Sequence, residues 1–339
     1  MKILLTGASG FAGAHMLNFL LNNTNHEVIC PVTYRHGGHV SRIPSLISEE
    51  KLKRVRIFEQ DLALGYIPRN EFTEDVEMII NFASESHVDR SIVNPIDFSL
   101  NNTNLMINLL EYARTLKNVF FLHISTDEVY GSIPRNEKNI EWQRPHLPSN
   151  PYSASKSAQE SLAIAYFKTY KIPIAIVNAT NMIGETQNQE KFLPKIIHRV
   201  VHDYAINIDT DANGIIGSRK YIYVGDVATA VWSVAQRLLT DNNFALDAVV
   251  PLKYHLSGEE EISNLQLVEW VSNHLNKVPK VSVSPSPRPG YDLRYELTTE
   301  KIRSEGWKES RSIAERVKAI VDWTIKNPKW LYIDYEKLN

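Results

Sequence analysis

Through its first 180 residues the chain alternates short apolar runs with helical patterns, and few folds satisfy that alternation. Ile3–Thr6, Val28–Val32, Val55–Phe58, Met78–Phe82, Val119–Ser125 and Ile174–Val177 read as buried strands. Amphipathic stretches such as Phe11–Leu21, Leu100–Leu116 and Ala154–Tyr170 lie between several of them. Strand and helix in turn predict an α/β fold with a parallel sheet wound on both faces. Beyond about residue 180 the pattern loosens. Helical stretches near Phe192–Tyr204, Val224–Leu239, Leu265–Leu275 and Ser312–Ile325 are separated by polar, Pro-containing loops. The run Ser284-Pro-Ser-Pro-Arg-Pro-Gly290 cannot be regular helix. The expectation is a dinucleotide-binding domain over residues 1–180, with 224–240 packing back on it. A smaller substrate-binding lobe over 181–339 would cap the sheet's carboxyl edge.

The turn after the first strand is Gly7-Ala-Ser-Gly10-Phe-Ala-Gly13. Glycines there permit a tight turn and close approach of backbone N–H groups to a pyrophosphate at a helix N-terminus. The spacing is Gly-x-x-Gly-x-x-Gly, not the Gly-x-Gly-x-x-Gly of many dehydrogenases. The second strand runs out as Val32-Thr-Tyr-Arg35-His36, with no acid to meet a ribose 2′-hydroxyl. Arg35 is the candidate to meet a 2′-phosphate, with Arg42 as a second, so the reading leans to NADP over NAD. Asp61, after the third strand, is an adenine contact or a helix cap.

Chemistry concentrates in two stretches. Tyr152 and Lys156 stand one helical turn apart, on one face. A nearby ammonium lowers a phenol's pKa from near 10, so Tyr152 can take a proton from an alcohol as hydride leaves its carbon. Ser125-Thr-Asp-Glu-Val-Tyr-Gly131 places Thr126 and two adjacent acids where a strand ends. Asp127 and Glu128 can differ in pKa if their surroundings differ, giving the acid and the base that elimination of water needs.

Composition excludes much else. The 339 residues are 43% hydrophobic and 22% charged with formal net charge −2, so there is no basic footprint for nucleic acid. The single cysteine, Cys30, cannot form an intramolecular disulfide, which fits a reducing cytoplasm. The apolar start Met1–Leu5 is too short for a signal-peptide core, and no apolar run reaches membrane-spanning length. No metal-ligand spacing stands out.

These motifs resemble the extended short-chain dehydrogenase/reductase superfamily, specifically nucleotide-sugar 4,6-dehydratases of the dTDP-glucose type. Thr6–Gly13 is similar to their cofactor turn, and Phe82-Ala-Ser-Glu-Ser-His-Val-Asp-Arg-Ser-Ile92 to the loop after their fourth strand. Ser125–Gly131 and Pro151–Lys156 match their catalytic motifs, and Arg288-Pro-Gly-Tyr-Asp-Leu-Arg-Tyr295 their carboxyl-terminal substrate motif. The resemblance implies a Rossmann-type sheet and a tightly bound NAD or NADP, regenerated each turnover. Gly7, Gly10, Phe11, Ala12, Gly13, Arg35, Asp61, Leu62, Phe82, Ala83, Tyr152 and Lys156 would hold that cofactor.

It implies the reaction as well. Tyr152, helped by Thr126 and Lys156, would deprotonate the sugar 4-OH. Glu128 would remove the C5 proton and Asp127 protonate the departing 6-OH, giving a 4-keto-6-deoxy sugar nucleotide. Ser86 and His87 would line the site, Asn181 would contact the sugar or phosphate, Lys191 and Arg219 would face the diphosphate, and Arg294 and Tyr295 would close the nucleotide end. The expected partners are a nucleotide sugar, most of all dTDP- or UDP-glucose, and a second copy of the chain through Leu100–Leu116 and Ala154–Tyr170.

The sequence departs from the pattern in places. Arg35…Arg42-Ile43 looks more like GDP-mannose 4,6-dehydratases, which use NADP. Asn178 stands where many relatives carry arginine, Met182-Ile183 replaces Asn-Tyr, and Ser132–Asn150 is short. The rival readings are a 4-epimerase or decarboxylase on the same scaffold, which has no use for the Asp127–Glu128 pair, and a dinucleotide-sensing protein, which has no use for Thr126, Tyr152 and Lys156 together.

Overall fold

A computed structural model describes residues 1–134, 137–240, 248–286, 289 and 292–331. The expected strands form: β1 (Lys2–Thr6), β2 (Glu27–Val32), β3 (Val55–Glu59), β4 (Met78–Asn81), β5 (Phe120–Thr126) and β6 (Ile174–Ala179). With β11 (Leu252–Leu256) they make one seven-stranded sheet in the order β11-β6-β5-β4-β1-β2-β3, every neighbouring pair parallel. Chain order reverses at β1, between β2 and β4, and the ligand crevice of such a sheet opens at that point.

Helices cover both faces. On one lie α1 (Phe11–Asn23) and α8 (Val224–Thr240), whose Leu17, Leu20, Val227, Val231 and Val234 share a core with Ile3, Val28 and Val177. On the other, α5 (Pro95–Thr115) and α6 (Pro151–Tyr170) pack together, burying Leu109, Leu110, Ala163 and Phe167 against Leu4, Ile79 and Phe121. Each such fully buried side chain contributes roughly 1.5–3 kcal/mol. The short helices α2 (Arg42–Leu46), α3 (Glu49–Leu52) and α4 (Val88–Val93) fill connections.

The rest of the chain builds a second core from α7 (Phe192–Val201), α9 (Asn264–His274) and α11 (Ile313–Lys326), with Ile196, Leu267, Val271 and Ile320 inside. Short strands complete it: β7 (Met182–Ile183) pairs β10 (Ile222–Tyr223), β9 (Ser218–Lys220) pairs β12 (Glu261–Ser263), and β8 (Ile206–Thr210) pairs β13 (Val281–Pro285).

Placing the first domain within 1–180 requires correction. Strand β11 closes the sheet beside β6, and α10 (Glu300–Ser304) with Trp307 packs on the same core. The chain thus leaves the sheet after β6 and comes back to it. The run around Leu252 carries Lys253 and His255 among its apolar residues, so its pattern hides a buried strand. Helices α5 and α6 also start earlier than their apolar periodicity suggests, because Pro95 and Pro151 supply their first turns.

Candidate active site

A cleft of about 1060 Å³ opens at the carboxyl edge of the sheet, walled on its far side by the second lobe. Its floor is the glycine turn. Gly7 has φ +73°, and a Cβ there would lie 2.8 Å from the Phe82 carbonyl carbon and 2.9 Å from Ala83 N. A Cβ on Gly13 would lie 2.2 Å from Gly7 O. Both positions therefore demand glycine. Gly10 caps α1 with no side chain, so the first-turn N–H groups of Phe11, Ala12 and Gly13 open towards the cleft. Thr6 Oγ1 donates to Asn81 and accepts from Ala83 N, which fixes the Phe82–Ala83 wall. This cradle fits a pyrophosphate and hence a nicotinamide dinucleotide.

At the adenosine end, Arg35 and Asp61 form an ion pair at 2.6 Å, while Asp61 Oδ1 accepts from Ala63 N and Leu62 is buried beside them. Arg42 does not serve there. It is fully buried, donating to the carbonyls of Ser9, Gly37 and Thr186 and to the Asn188 side chain, beneath the Trp330 ring. Its role is to tie the cofactor loops to the second lobe, so it is struck from the 2′-phosphate candidates.

The catalytic candidates converge in the middle of the cleft. Strand β5 stops at Thr126, whose Oγ1 accepts from Glu128 N and starts a 3-10 turn over Asp127–Tyr130. That turn swings both carboxyls off the sheet edge. Helix α6 is set by Pro151 and a capping box between Asn150 and Ser153, so Tyr152 sits in its first turn with Lys156 one turn on. Thr126, Asp127, Glu128, Tyr152 and Lys156 all line the cleft. Thr126 Oγ1 donates to Asp127 Oδ1 at 3.0 Å, and Lys156 Nζ donates to Ile124 O at 2.7 Å.

Burial sets the electrostatics. It raises the Asp127 pKa to about 7, with help from the Glu128 charge and against the Thr126 hydrogen bond. Glu128 is raised too, but Arg219 and Lys191 oppose the rise. Nearby cations thus act on Glu128 more than on Asp127, whose proton burial favours. Lys156 is pushed down to about 7 by burial, with Glu160 opposing. The expectation that Lys156 lowers the Tyr152 pKa requires correction. Burial, then the Glu128 charge, drives it up. The Lys156 ammonium faces Ile124 O, and dehydration outweighs it.

Further along the cleft come Ser86, His87, Asn181, Lys191, Arg219 and Tyr295. Lys191 Nζ reaches across to Ser86 O at 2.9 Å. His87 accepts from Arg90 N through Nδ1, with Nε2 3.7 Å from Glu190. Among the described residues Asn181 Oδ1 is buried with no partner, an acceptor open to a ligand's donor. Arg219 is oriented by the carbonyls of Ser218, Asp292 and Leu293 over the Tyr295 ring. Arg294 is not part of this wall. It is bonded to Glu261 and Glu296 and to the Pro134 carbonyl, so it holds the lobe together and does not close the nucleotide end. Its neighbours Arg288, Gly290 and Tyr291 lie outside the described residues. Three contributors were not read from the sequence as parts of the site. Asn150 caps α6 at the cleft wall, Asn178 donates to Thr126 O and Glu160, and Lys253 pairs with Glu160. Only Glu160, four residues beyond Lys156, left a visible spacing.

Set against known proteins, residues 4–320 match the family described as GDP-mannose 4,6-dehydratase. A probable dTDP-glucose 4,6-dehydratase of Sinorhizobium fredii is 31% identical over 97% of this chain and 94% of its own. The dTDP-glucose 4,6-dehydratase 1 of Escherichia coli is 31% identical over 98% and 94%. The chain belongs to the nucleotide-sugar 4,6-dehydratases. It is a hydro-lyase of the extended short-chain dehydrogenase/reductase superfamily. Among solved structures, the dTDP-glucose 4,6-dehydratase of Streptomyces venezuelae with NAD bound superposes at TM-score 0.82, with 27% identity and all of both chains covered. The dehydratase assignment gives the adjacent acids a purpose that fold alone does not.

Proposed function

We propose that this enzyme converts an NDP-hexose, dTDP- or UDP-glucose before others, to the NDP-4-keto-6-deoxy sugar with loss of water. The observation that carries the reading is an adjacent acid pair, Asp127 buried and poised near neutrality and Glu128 half-buried, beside Thr126, Tyr152 and Lys156 in one cleft. Tyr152 removes the 4-OH proton, with Thr126 and Lys156 steadying the developing charge. Glu128 removes the C5 proton, which the 4-ketone acidifies. Asp127 protonates the departing 6-OH. A bound nicotinamide dinucleotide supplies hydride uptake from C4 and hydride return to C6. Gly7 through Gly13, Phe82, Ala83, Arg35, Asp61 and Leu62 hold that cofactor, and Asn181, Lys191, Arg219 and Tyr295 orient the sugar diphosphate.

Arg35 and the missing acid after β2 support NADP. The Asp61 carboxylate on Arg35 and the NAD in the Streptomyces relative support NAD. We keep NADP as the proposal on Arg35 and the absence of an acid after β2. A homodimer is proposed through α5 and α6; on α5, Ile96 and Leu100 are 70% and 53% exposed, and Val93 at the end of α4 is 85% exposed. The compartment proposed is the reducing cytoplasm. Cys30 is buried, and among the described residues no helix is long and apolar enough to cross a membrane.

The test is an assay of the purified protein without added cofactor. It would be offered dTDP-glucose, UDP-glucose, CDP-glucose, GDP-mannose and UDP-N-acetylglucosamine, following the mass of one water lost. The released cofactor is identified in parallel. Water loss from dTDP- or UDP-glucose is the expected result. Inversion at C4 without water loss would move the assignment to an epimerase.

A further inference from the structure

Arg42 makes no contact with a 2′-phosphate, but its guanidinium joins three separate parts of the chain. Nη1 donates to Ser9 O in the glycine turn at 2.6 Å and to Gly37 O in the loop after β2 at 2.7 Å. Nε donates to Thr186 O at 3.2 Å, and Nη2 donates to the Asn188 side chain. Ser9 and Gly37 belong to the cofactor loops. Thr186 and Asn188 belong to the segment between β7 and α7, in the second lobe. The Trp330 ring, in the turn Pro328–Leu331, covers the guanidinium at 5.1 Å.

That segment lies as a strap along the mouth of the cofactor groove. His15 on α1 bonds Glu185 O at 2.9 Å, and Asn188 Nδ2 donates to Gly37 O at 3.4 Å. Gln187 and Asn188 line the cleft together with Gly7, Gly10, Gly37 and Gly38 of the first domain. The Gln187 Oε1 is buried and, among the described residues, has no partner, so the strap offers an acceptor to whatever the groove holds. Thr186, in the middle of the strap, has φ +63° and is buried. A β-branched residue is strained in that region of backbone space and persists there only where its surroundings hold it. The bond from Arg42 to the Thr186 carbonyl is such a hold, and a charged donor makes it a strong one.

We propose that Glu185–Asn188 is a strap that gates passage of the nicotinamide dinucleotide, with Arg42 as its pin. The strain at Thr186 favours opening and the bonds of Arg42 oppose it, so the strap has two states set against each other. Arg42 and Thr186 lie behind the cleft wall and act through the strap. They therefore govern how fast the dinucleotide passes more than how tightly it is held. An enzyme that regenerates its cofactor in each turnover has no need of that passage during catalysis, and a pinned gate suits it.

This rests on the reading that the cleft holds a nicotinamide dinucleotide, and the test separates the two. The holoenzyme is mixed with isotopically labelled NADP or NAD, matching what it carries, and uptake of label is followed. Occupancy after dilution gives the affinity, and urea unfolding gives the stability. Arg42→Lys keeps the charge but cannot span all four acceptors, and exchange should quicken roughly 10–100-fold. Thr186→Gly removes the strain and keeps the pin, and exchange should slow about threefold. In both variants affinity should move less than the exchange rate. Quickened exchange in Arg42→Lys that only matches its rate of global unfolding, together with no slowing in Thr186→Gly, would make Arg42 a structural tie and overturn the gate. An exchange rate that neither variant moves, or a change matched in full by affinity, overturns it as well. A wild-type protein that carries no nicotinamide dinucleotide and takes up neither labelled form defeats the cofactor reading itself.

Discussion

Asp127 and Glu160 are both buried carboxyls a short way apart, and they end in opposite states. Among the described residues Asp127 has only Thr126 on one oxygen and nothing on Oδ2, and no ion pair reaches it. Burial wins there and lifts its pKa to about 7. Glu160 is more deeply buried, yet Lys253 at 2.7 Å, His146 at 3.4 Å and an Asn178 N–H at 2.7 Å overcome dehydration. They hold it well below the usual carboxylate range. Lys253 is itself enclosed by the Tyr130 and Trp142 rings. Burial alone therefore decides neither state; the partners do. The cleft keeps its acid short of partners, and chemistry needs that shortage. The network behind α6 is fully partnered and serves as framework.

The comparison predicts which variants cost activity and which cost the fold. The largest effect should come from Glu128→Gln, with kcat down about 10³–10⁴-fold and the unfolding midpoint nearly unchanged. Reduced nicotinamide should still appear in its absorbance band while no water is lost. Normal turnover would remove Glu128 from the base role. Next is Lys253→Met, which leaves the Glu160 charge buried without its cation. It should cost about 3–5 kcal/mol in chemical denaturation, while the folded fraction keeps near-normal kcat. Adding Glu160→Leu should restore much of that stability. A double variant no better than the single would show that the pair is not the unit argued here.

Asp127→Asn tests the other side of the comparison, and the sign can be worked out. The folded pKa lies above the ordinary value of 3.8, so ionising Asp127 costs stability as pH rises from about 4 through about 7. Asparagine avoids that cost. The variant should be more stable than the wild type by about 1–3 kcal/mol at pH 8 and no more stable at pH 4. Its activity should fall about 10²-fold or more, because the 6-OH departs unassisted. In the wild type, kcat should decline above about pH 7 as the acid form is lost. A variant that gains nothing at pH 8 would mean Asp127 carries its proton for another reason.

Legibility in the sequence followed the same division. Six sheet strands were readable because their apolar runs are short and bounded by turn residues, and the Thr126, Asp127, Glu128, Tyr152 and Lys156 set was readable because spacing and strand ends fix it. β11 was not, since Lys253 and His255 interrupt its apolar pattern for the sake of partners contributed by α6 and the Asp127–Tyr130 turn. Arg42 and Arg294 read as ligand cations. An arginine that bonds carbonyls and one that bonds phosphate look alike until the fold shows which oxygens are near.

Arg35 gives the smallest expected effect and the finest test of that last point. It is the one arginine of the original pair still at the cleft's adenosine end, and its guanidinium rests on Asp61. If the cofactor carries a 2′-phosphate, that anion competes with Asp61 for Arg35, and Arg35→Ala should weaken NADP relative to NAD by roughly tenfold, about 1.4 kcal/mol. If the cofactor is NAD, the same change frees the Asp61 carboxylate, and retention of NAD should hold steady or improve. The measurement is the ratio of NADP to NAD recovered from the purified wild type and variant. A ratio that Arg35→Ala does not move would place Arg35 with Arg42 and Arg294, as a cation whose oxygens belong to the protein.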